Sequence, residues 1–77
     1  MSIRELIDQF TIQGAYHIKV WKNKRNIFDS DYETLAMGED FEYEQWDIDE
    51  DILSRDITYM YVVDGVLNIE VEDIEEK

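Results

Sequence analysis

Apolar residues at helical spacing indicate the first element of the chain. Ser2 and Glu5 stand three positions apart at its start, which is the order of a capping box. The pattern therefore predicts a short helix over residues 2–10, and so short a helix needs another element to pack on. The apolar positions that recur at a spacing of three and four residues are Ile3, Leu6, Ile7 and Phe10.

Alternation of apolar and polar residues predicts two strands after this helix. Tyr16, Ile18 and Val20 alternate with polar positions, which is the period of a half-buried strand. A second strand is expected over residues 32–37, ending at Gly38. The polar residues 22–26 between the two strands are expected to form a turn.

Residues 57–71 predict a β-hairpin with a two-residue turn. Asp64 and Gly65 occupy the turn, because a type I′ turn needs positive φ at both positions. The expected register places Val63 opposite Val66 and continues to Thr58 opposite Val71. One face, expected to be the core face, then carries Met60, Val62, Leu67, Ile69 and Val71. The other face is expected to be solvated or to form a contact site, and it carries Tyr59, Tyr61, Val63, Asn68, Glu70 and Glu72.

The segment 39–56 is too long for an unstructured connection in so small a domain. Phe41 and Tyr43 alternate with acidic residues, which allows a strand extension past Gly38. Residues 49–53 allow one helical turn, capped by Asp47 or by Asp49. The ring of Phe41 is expected in the core, as is that of Trp46, whereas Tyr43 is less expected there.

These elements together predict one α+β domain over residues 1–77, with a short N-terminal helix on a roughly four-stranded antiparallel sheet. An acidic tail at 73–77 is expected to fray. A 77-residue chain buries only about 60% of its unfolded surface. It contains no cysteine, so no disulfide adds stability. Packing, within the chain or against a partner, has to supply it.

The composition excludes most catalytic and metal chemistry. With no cysteine and a single histidine, the chain has no thiol nucleophile, no zinc–thiolate site and no multi-histidine site. Residues 47–51 resemble the opening of a calcium loop, but Ile52 stands where glycine is needed and Thr58 where a bidentate glutamate is needed. We expect no enzyme and no cofactor, with a loose cation site on these carboxylates as a minor alternative. His17 is expected at the surface.

Charge is distributed very unevenly along the chain. Residues 1–26 hold five basic and two acidic side chains, whereas the remainder holds two basic and eighteen acidic ones. A net charge of −13 argues against direct binding of nucleic acid. With no signal peptide and no apolar stretch of about 18 residues, we expect a cytoplasmic protein that binds no membrane. So much acidic charge either keeps the protein soluble or is recognised by a basic surface of a partner protein.

Mimicry of a nucleic acid is the sharper hypothesis. Alternate residues on one face of a strand lie about 6.6 Å apart, close to the spacing of neighbouring phosphates. The acids 42 and 44, and the acids 70 and 72, would have that spacing if each pair lay on a strand. The partner-binding acids predicted on this basis are Glu42, Glu44, Asp47, Asp49, Asp51, Glu70 and Glu72. The predicted aromatic contacts are Tyr43, Tyr59 and Tyr61.

Self-association is the alternative function. Tyr59, Tyr61 and Val63, or an exposed edge of the sheet, would then form a homodimer interface. A cluster of basic residues around Trp21 is interpreted as a solvated strand end and turn, or as positive charge that balances the negative charge of the acidic segment. This group consists of Lys19, Lys22, Lys24 and Arg25.

Three segments resemble small uncharacterised acidic proteins of phages and conjugative elements in Gram-positive bacteria. They are SIRELIDQF at residues 2–10, IQGA at 12–15 and ITYMY at 57–61. The segments contain no catalytic or ligand motif, so the resemblance assigns no site residue. It implies a context, because such elements encode small acidic inhibitors of host nucleases and restriction systems. The mimic hypothesis gains support from this context.

Overall fold

The computed structural model describes residues 1–21 and 32–73. The turn predicted at 22–26 and residues 74–77 of the predicted acidic tail lie outside the described residues. The elements, in chain order, are α1 (Ile3–Gln9), β1 (Tyr16–Trp21), β2 (Tyr32–Gly38), α2 (Phe41–Glu44), a 3₁₀ turn (Gln45–Asp47), α3 (Glu50–Leu53), β3 (Ile57–Val63) and β4 (Val66–Val71).

The capping box of α1 is confirmed. The hydroxyl of Ser2 accepts the backbone N–H of Glu5 at 3.1 Å, and Oε1 of Glu5 accepts the backbone N–H of Ser2 at 2.9 Å. Ile3 and Leu6 are buried, as the apolar stripe predicts. The expectation that Phe10 shares this packing is wrong. Phe10 caps the helix in extended backbone, so it leaves the helical phase, and it is 58% exposed.

The four strands form one sheet in the order β2-β1-β4-β3. The two hairpins, β1 with β2 and β3 with β4, are antiparallel, but β1 and β4 pair in parallel with Ile18 beside Ile69. The α+β class is confirmed, whereas the purely antiparallel sheet is wrong. The physical reason is the long segment 39–56, which carries the second hairpin to the other side of β1 and so permits a parallel pair.

The core lies between one face of this sheet and the three helices. Tyr16 and Phe41 contact each other there in a T-shaped arrangement, with ring centroids 4.9 Å apart. Each helix contributes a buried side chain, so all of them pack on the same face. The core residues are Ile3, Tyr16, Ile18, Val20, Phe41, Leu53, Ile69 and Val71.

The predicted hairpin register is confirmed from Tyr59 to Val63. The predicted pair of Thr58 with Val71 is wrong, because a bulge between Ile57 and Tyr59 places Ile57 opposite Val71. Positive φ angles of 53° at Asp64 and 79° at Gly65 agree with the type I′ turn. Two residues of the predicted core face are nevertheless exposed, Met60 at 47% and Val62 at 66%. They lie on the edge strand β3, which the described helices do not cover.

The segment 39–56 is helical, so the strand extension through Phe41 and Tyr43 is wrong and the turn at α3 is confirmed. Phe41 is fully buried, as expected, but Trp46 is 75% exposed and its predicted burial is wrong. Trp46 belongs to the 3₁₀ turn after α2, and five residues of helical backbone at about 100–120° each place it on the opposite side from Phe41. No helix among the described residues is long and apolar enough to cross a membrane.

Candidate functional site

An acidic surface lies on the helical side of the sheet. It is formed by the helical segment that connects β2 to β3 along the chain. Its position follows from Phe41, which is buried in the core and whose backbone N–H donates to the carbonyl of Gly14 at 2.9 Å. Phe41 and Leu53 of this helical segment are buried, and Ile48 and Ile52 pack against the core, whereas the other acidic and aromatic residues from Glu42 to Asp49 are exposed or half-buried. We call these residues the acidic helical face, which consists of Glu42, Tyr43, Glu44, Trp46, Asp47 and Asp49.

Two aromatic rings project from the acidic helical face. Tyr43 is 72% exposed and Trp46 is 75% exposed. With Phe10 of the α1 terminus they line a groove of about 520 Å³, and Asp8 and Glu42 contribute carboxylates to the same groove. Large rings left in water beside carboxylates are typical of a contact surface rather than of a core.

A second groove of about 480 Å³ lies on the other side of the same segment. Ile48 and Ile52 contribute its apolar lining, and Glu44, Asp47 and Asp49 contribute carboxylates. The acidic helical face therefore separates two grooves that each combine apolar and acidic side chains.

Two carboxylates of this face are engaged within the chain. Glu42 accepts a hydrogen bond from the amide of Gln13 at 2.9 Å, and Glu44 accepts one from the hydroxyl of Tyr16 at 3.1 Å. Burial, followed by this bond to Glu44, raises the pKa of Tyr16 to about 12. Glu44 therefore also anchors the helical segment to β1.

The remaining acids of the segment divide into paired and unpaired carboxylates. Glu50 pairs with Arg4 of α1, and Asp51 lies 3.7 Å from Arg55. The carboxylates of Asp47 and Asp49 are exposed and have no ion-pair or hydrogen-bond partner among residues 1–21 and 32–73. These two acids are the ones that a basic partner could pair with most directly.

The other predicted site residues lie elsewhere. Tyr59, Tyr61 and Glu70 are on the opposite face of the sheet, and Glu72 follows the end of β4. Glu70 is only 6% exposed, so it is not part of an exposed acidic face. The expected spacing of the acids at 42 and 44 is also wrong, because both lie on α2 rather than on a strand.

The sheet face opposite the helices, which carries His17, Lys19, Tyr61 and Glu70, holds a network that the sequence did not reveal. The hydroxyl of Tyr61 donates to Oε2 of Glu70 at 2.8 Å. Nζ of Lys19 lies 4.7 Å from the ring centroid of Tyr32 and 5.6 Å from that of Tyr61. Lys19 and Glu70 are register neighbours on the parallel strands β1 and β4. Because that pairing depends on the parallel topology, no local sequence pattern could have predicted it.

His17 also lies on the sheet face opposite the helices, half-buried rather than fully at the surface. Its Nε2 is 2.8 Å from Oγ1 of Thr34. Burial, and then the charge of Lys19, lowers the pKa of this imidazole. Within the part of the chain that the structure describes, no group of three or more potential ligand residues could hold a metal ion.

Comparisons with known proteins identify no family for this chain. A scan against protein-family models, a search of curated proteins and a search of solved structures each found no match to the chain.

Proposed function

We propose that this chain is a protein-interaction module that binds a basic protein surface through its acidic helical face. The observation that carries the proposal is the exposure of two large rings, Trp46 and Tyr43, on a short segment that also carries Asp47 and Asp49, whose carboxylates have no partner among the described residues. We assign the protein no catalytic role and place it in the cytoplasm.

The chemistry of this face suits arginine and lysine side chains. One guanidinium group of a partner can stack on the indole of Trp46, and a second basic side chain can pair with the carboxylate of Asp47 or Asp49 in the other groove. Aromatic side chains supply much of the binding energy at the centre of interfaces, and surrounding charges steer the encounter. Aromatic anchors and acidic partners thus lie together on one short segment.

A narrower form of the proposal makes the partner a DNA-handling enzyme whose basic site the acidic helical face occupies. The high density of carboxylates at 39–51 supports it, as does the resemblance to small acidic proteins of mobile elements. The argument from strand spacing no longer contributes, because these acids lie on helical turns. Charge and aromatic anchoring are the features that would make the chain compete with DNA.

The test is an affinity capture from a bacterial lysate with four variants of the bait. Trp46→Ala and Asp49→Lys change the acidic helical face. Trp21→Ala and Glu72→Lys make the same chemical changes at exposed positions elsewhere. We expect the first pair to lose the captured protein and the second pair to keep it. The bound protein should elute as salt is raised, because ion pairs at an exposed surface are screened.

Competition with double-stranded DNA then tests the narrower form. A captured protein that DNA displaces from the wild-type chain supports mimicry. A captured protein that DNA does not displace refutes mimicry but retains the interaction module. Capture that both pairs of variants retain equally refutes the acidic helical face as the binding site.

A further inference from the structure

The edge strand β3 presents an uncharged surface that is largely exposed. Seven residues from Ile57 to Val63 carry no charge, in a chain whose net charge is −13. Edge strands of natural proteins are usually protected by charge, proline or a covering element, because an open edge pairs with other strands. The consecutive exposed side chains are Tyr59 (67%), Met60 (47%), Tyr61 (38%), Val62 (66%) and Val63 (51%).

The backbone of this edge is also open. Leu67 donates its N–H to the carbonyl of Ala15 at 3.0 Å, on the β1 side, so its pair with Val62 is not hydrogen-bonded. In an antiparallel ladder, non-hydrogen-bonded pairs alternate with hydrogen-bonded ones. The N–H and C=O groups of Val62 and Met60 therefore point away from β4. Among the described residues nothing pairs with them. At Ile57 the edge is already occupied, because its N–H donates to the carbonyl of Met1 at 2.8 Å.

We propose that β3 pairs antiparallel with β3 of a second copy of this chain, about a two-fold axis at Tyr61. The main-chain groups of β3 that point away from β4 must face the same groups of the second copy. Met60 of each copy therefore pairs with Val62 of the other, and each of these two pairs forms two main-chain hydrogen bonds. A register shifted toward the N-terminus would bring Val63 of one copy opposite Ile57 of the other, where Met1 already occupies the edge. The result is one continuous eight-stranded sheet.

A second copy fits this edge because a matching strand must be uncharged and apolar on both faces. In the proposed register Tyr59 lies opposite Val63, and no charged residues face each other between positions 59 and 63. On the helical side, Met60 and Val62 of the second copy would extend along an apolar groove of about 290 Å³. This groove is lined by Leu6, Phe10, Ile12, Met60 and Leu67.

The exposed surface of β3 is small for a specific interface. Five side chains that each lose on the order of 100 Å² bury roughly 500 Å² per copy, which is at the low end for specific interfaces. We therefore expect a dimer that dissociates at micromolar concentration. The dimer does not depend on the proposed function, because it uses β3 rather than the acidic helical face.

Sedimentation equilibrium from about 5 to 500 μM tests the pairing, at a salt concentration that screens the repulsion between acidic chains. Val62→Lys places a charge on the open edge and should weaken dimerisation about tenfold or more. Met37→Lys is the matched control, because Met37 is 64% exposed on the other edge strand, β2. Thermal melting of both variants checks that they fold.

Single cysteines test the register, since the natural chain has none. Tyr61→Cys places two thiols across the axis in a non-hydrogen-bonded pair, with Cα atoms about 4.5 Å apart, which suits a disulfide. Tyr59→Cys places its two thiols about 13 Å apart, which is too far. Both lie on one strand face, and because Tyr61→Cys also removes the donor to Glu70, thermal melting of both reduced variants checks that they fold.

Concentration-dependent dimers that Val62→Lys weakens and Met37→Lys does not, with cross-linking at position 61 but not at 59, support the proposal. A wild-type chain that remains monomeric up to about 500 μM overturns it. Equal cross-linking at both positions, or dimers that only Met37→Lys disrupts, overturns it as well.

Discussion

The phenol of Tyr61 donates a hydrogen bond of 2.8 Å to Oε2 of Glu70, from β3 to β4. Glu70 is only 6% exposed, although no described helix packs on that face of the sheet. The carboxylate accepts the Tyr61 hydroxyl, and Lys19 lies beside Glu70 in register on β1. A carboxylate out of contact with water needs donors of this kind, because burial removes its hydration.

Removing the Tyr61 hydroxyl should show how much stability the hydrogen bond to Glu70 contributes. We expect Tyr61→Phe to lower the free energy of unfolding by about 1–3 kcal/mol, because Glu70 loses a donor and regains no water. Tyr59→Phe is the matched control, since Tyr59 lies on the same strand face and is 67% exposed. Urea unfolding followed by circular dichroism measures both. Equal losses in the two variants would show that the bond to Glu70 contributes nothing.

Gly38 at the end of β2 is required by a close approach. A Cβ atom at this position would collide with Oε1 of Glu44 and lie 2.9 Å from Cε1 of Tyr16. We expect Gly38→Ala to destabilise the fold by about 1–3 kcal/mol through overpacking.

The same substitution in a Glu44→Ala background isolates the cause of that loss. With the carboxylate removed, only the contact with Tyr16 remains, so the cost of Gly38→Ala should be smaller than in the wild-type chain. Chemical denaturation of the four chains in this cycle gives the difference. An unchanged cost would mean that Glu44 does not limit the space at Gly38.

Local sequence patterns predicted the elements whose causes are local. The capping box defines the start of α1, and the turn residues Asp64 and Gly65 define both the β3–β4 hairpin and the register next to the turn. Period-two alternation predicted β1, because Tyr16, Ile18 and Val20 all face the core. Each of these signals acts between residues that are close along the chain.

Features that depend on distant pairing were not predictable in the same way. The burial of Glu70 and its proximity to Lys19 follow from the parallel pairing of β1 with β4, and no turn specifies that pairing. The exposure of Val62 follows from the position of β3 at the sheet edge, although its alternation is that of a core residue. In the segment 39–56, alternation favoured a strand, but burial of Phe41 on a helical turn prevailed.

The pKa of His17 gives a pH dependence with a definite sign. Burial and Lys19 lower the folded-state pKa below the unfolded value of 6.5. The unfolded chain therefore binds protons more readily, and the contribution of His17 to stability is present above pH 6.5 and lost as pH falls through the folded pKa. Because His17 is the only histidine, a single substitution removes this contribution.

Comparison with His17→Gln separates this effect from the titration of the carboxylates. The stability difference, wild type minus variant, should be larger at about pH 7.5 than at about pH 5.5. Urea unfolding at both values measures the difference, and NMR titration of the single imidazole reads its pKa directly. An imidazole that titrates at or above its ordinary value would contradict the prediction.

Phe41 and Trp46 lie five residues apart and should respond oppositely to truncation. Phe41 has no exposed surface and contacts Tyr16 edge to face, so Phe41→Ala should cost about 3–5 kcal/mol of unfolding free energy. Trp46 is 75% exposed, so Trp46→Ala should cost less than about 1 kcal/mol. Thermal and urea unfolding of the two variants measure these costs. Comparable losses would place Trp46 in the core after all, and loss of partner capture by Trp46→Ala would then report unfolding rather than a missing contact.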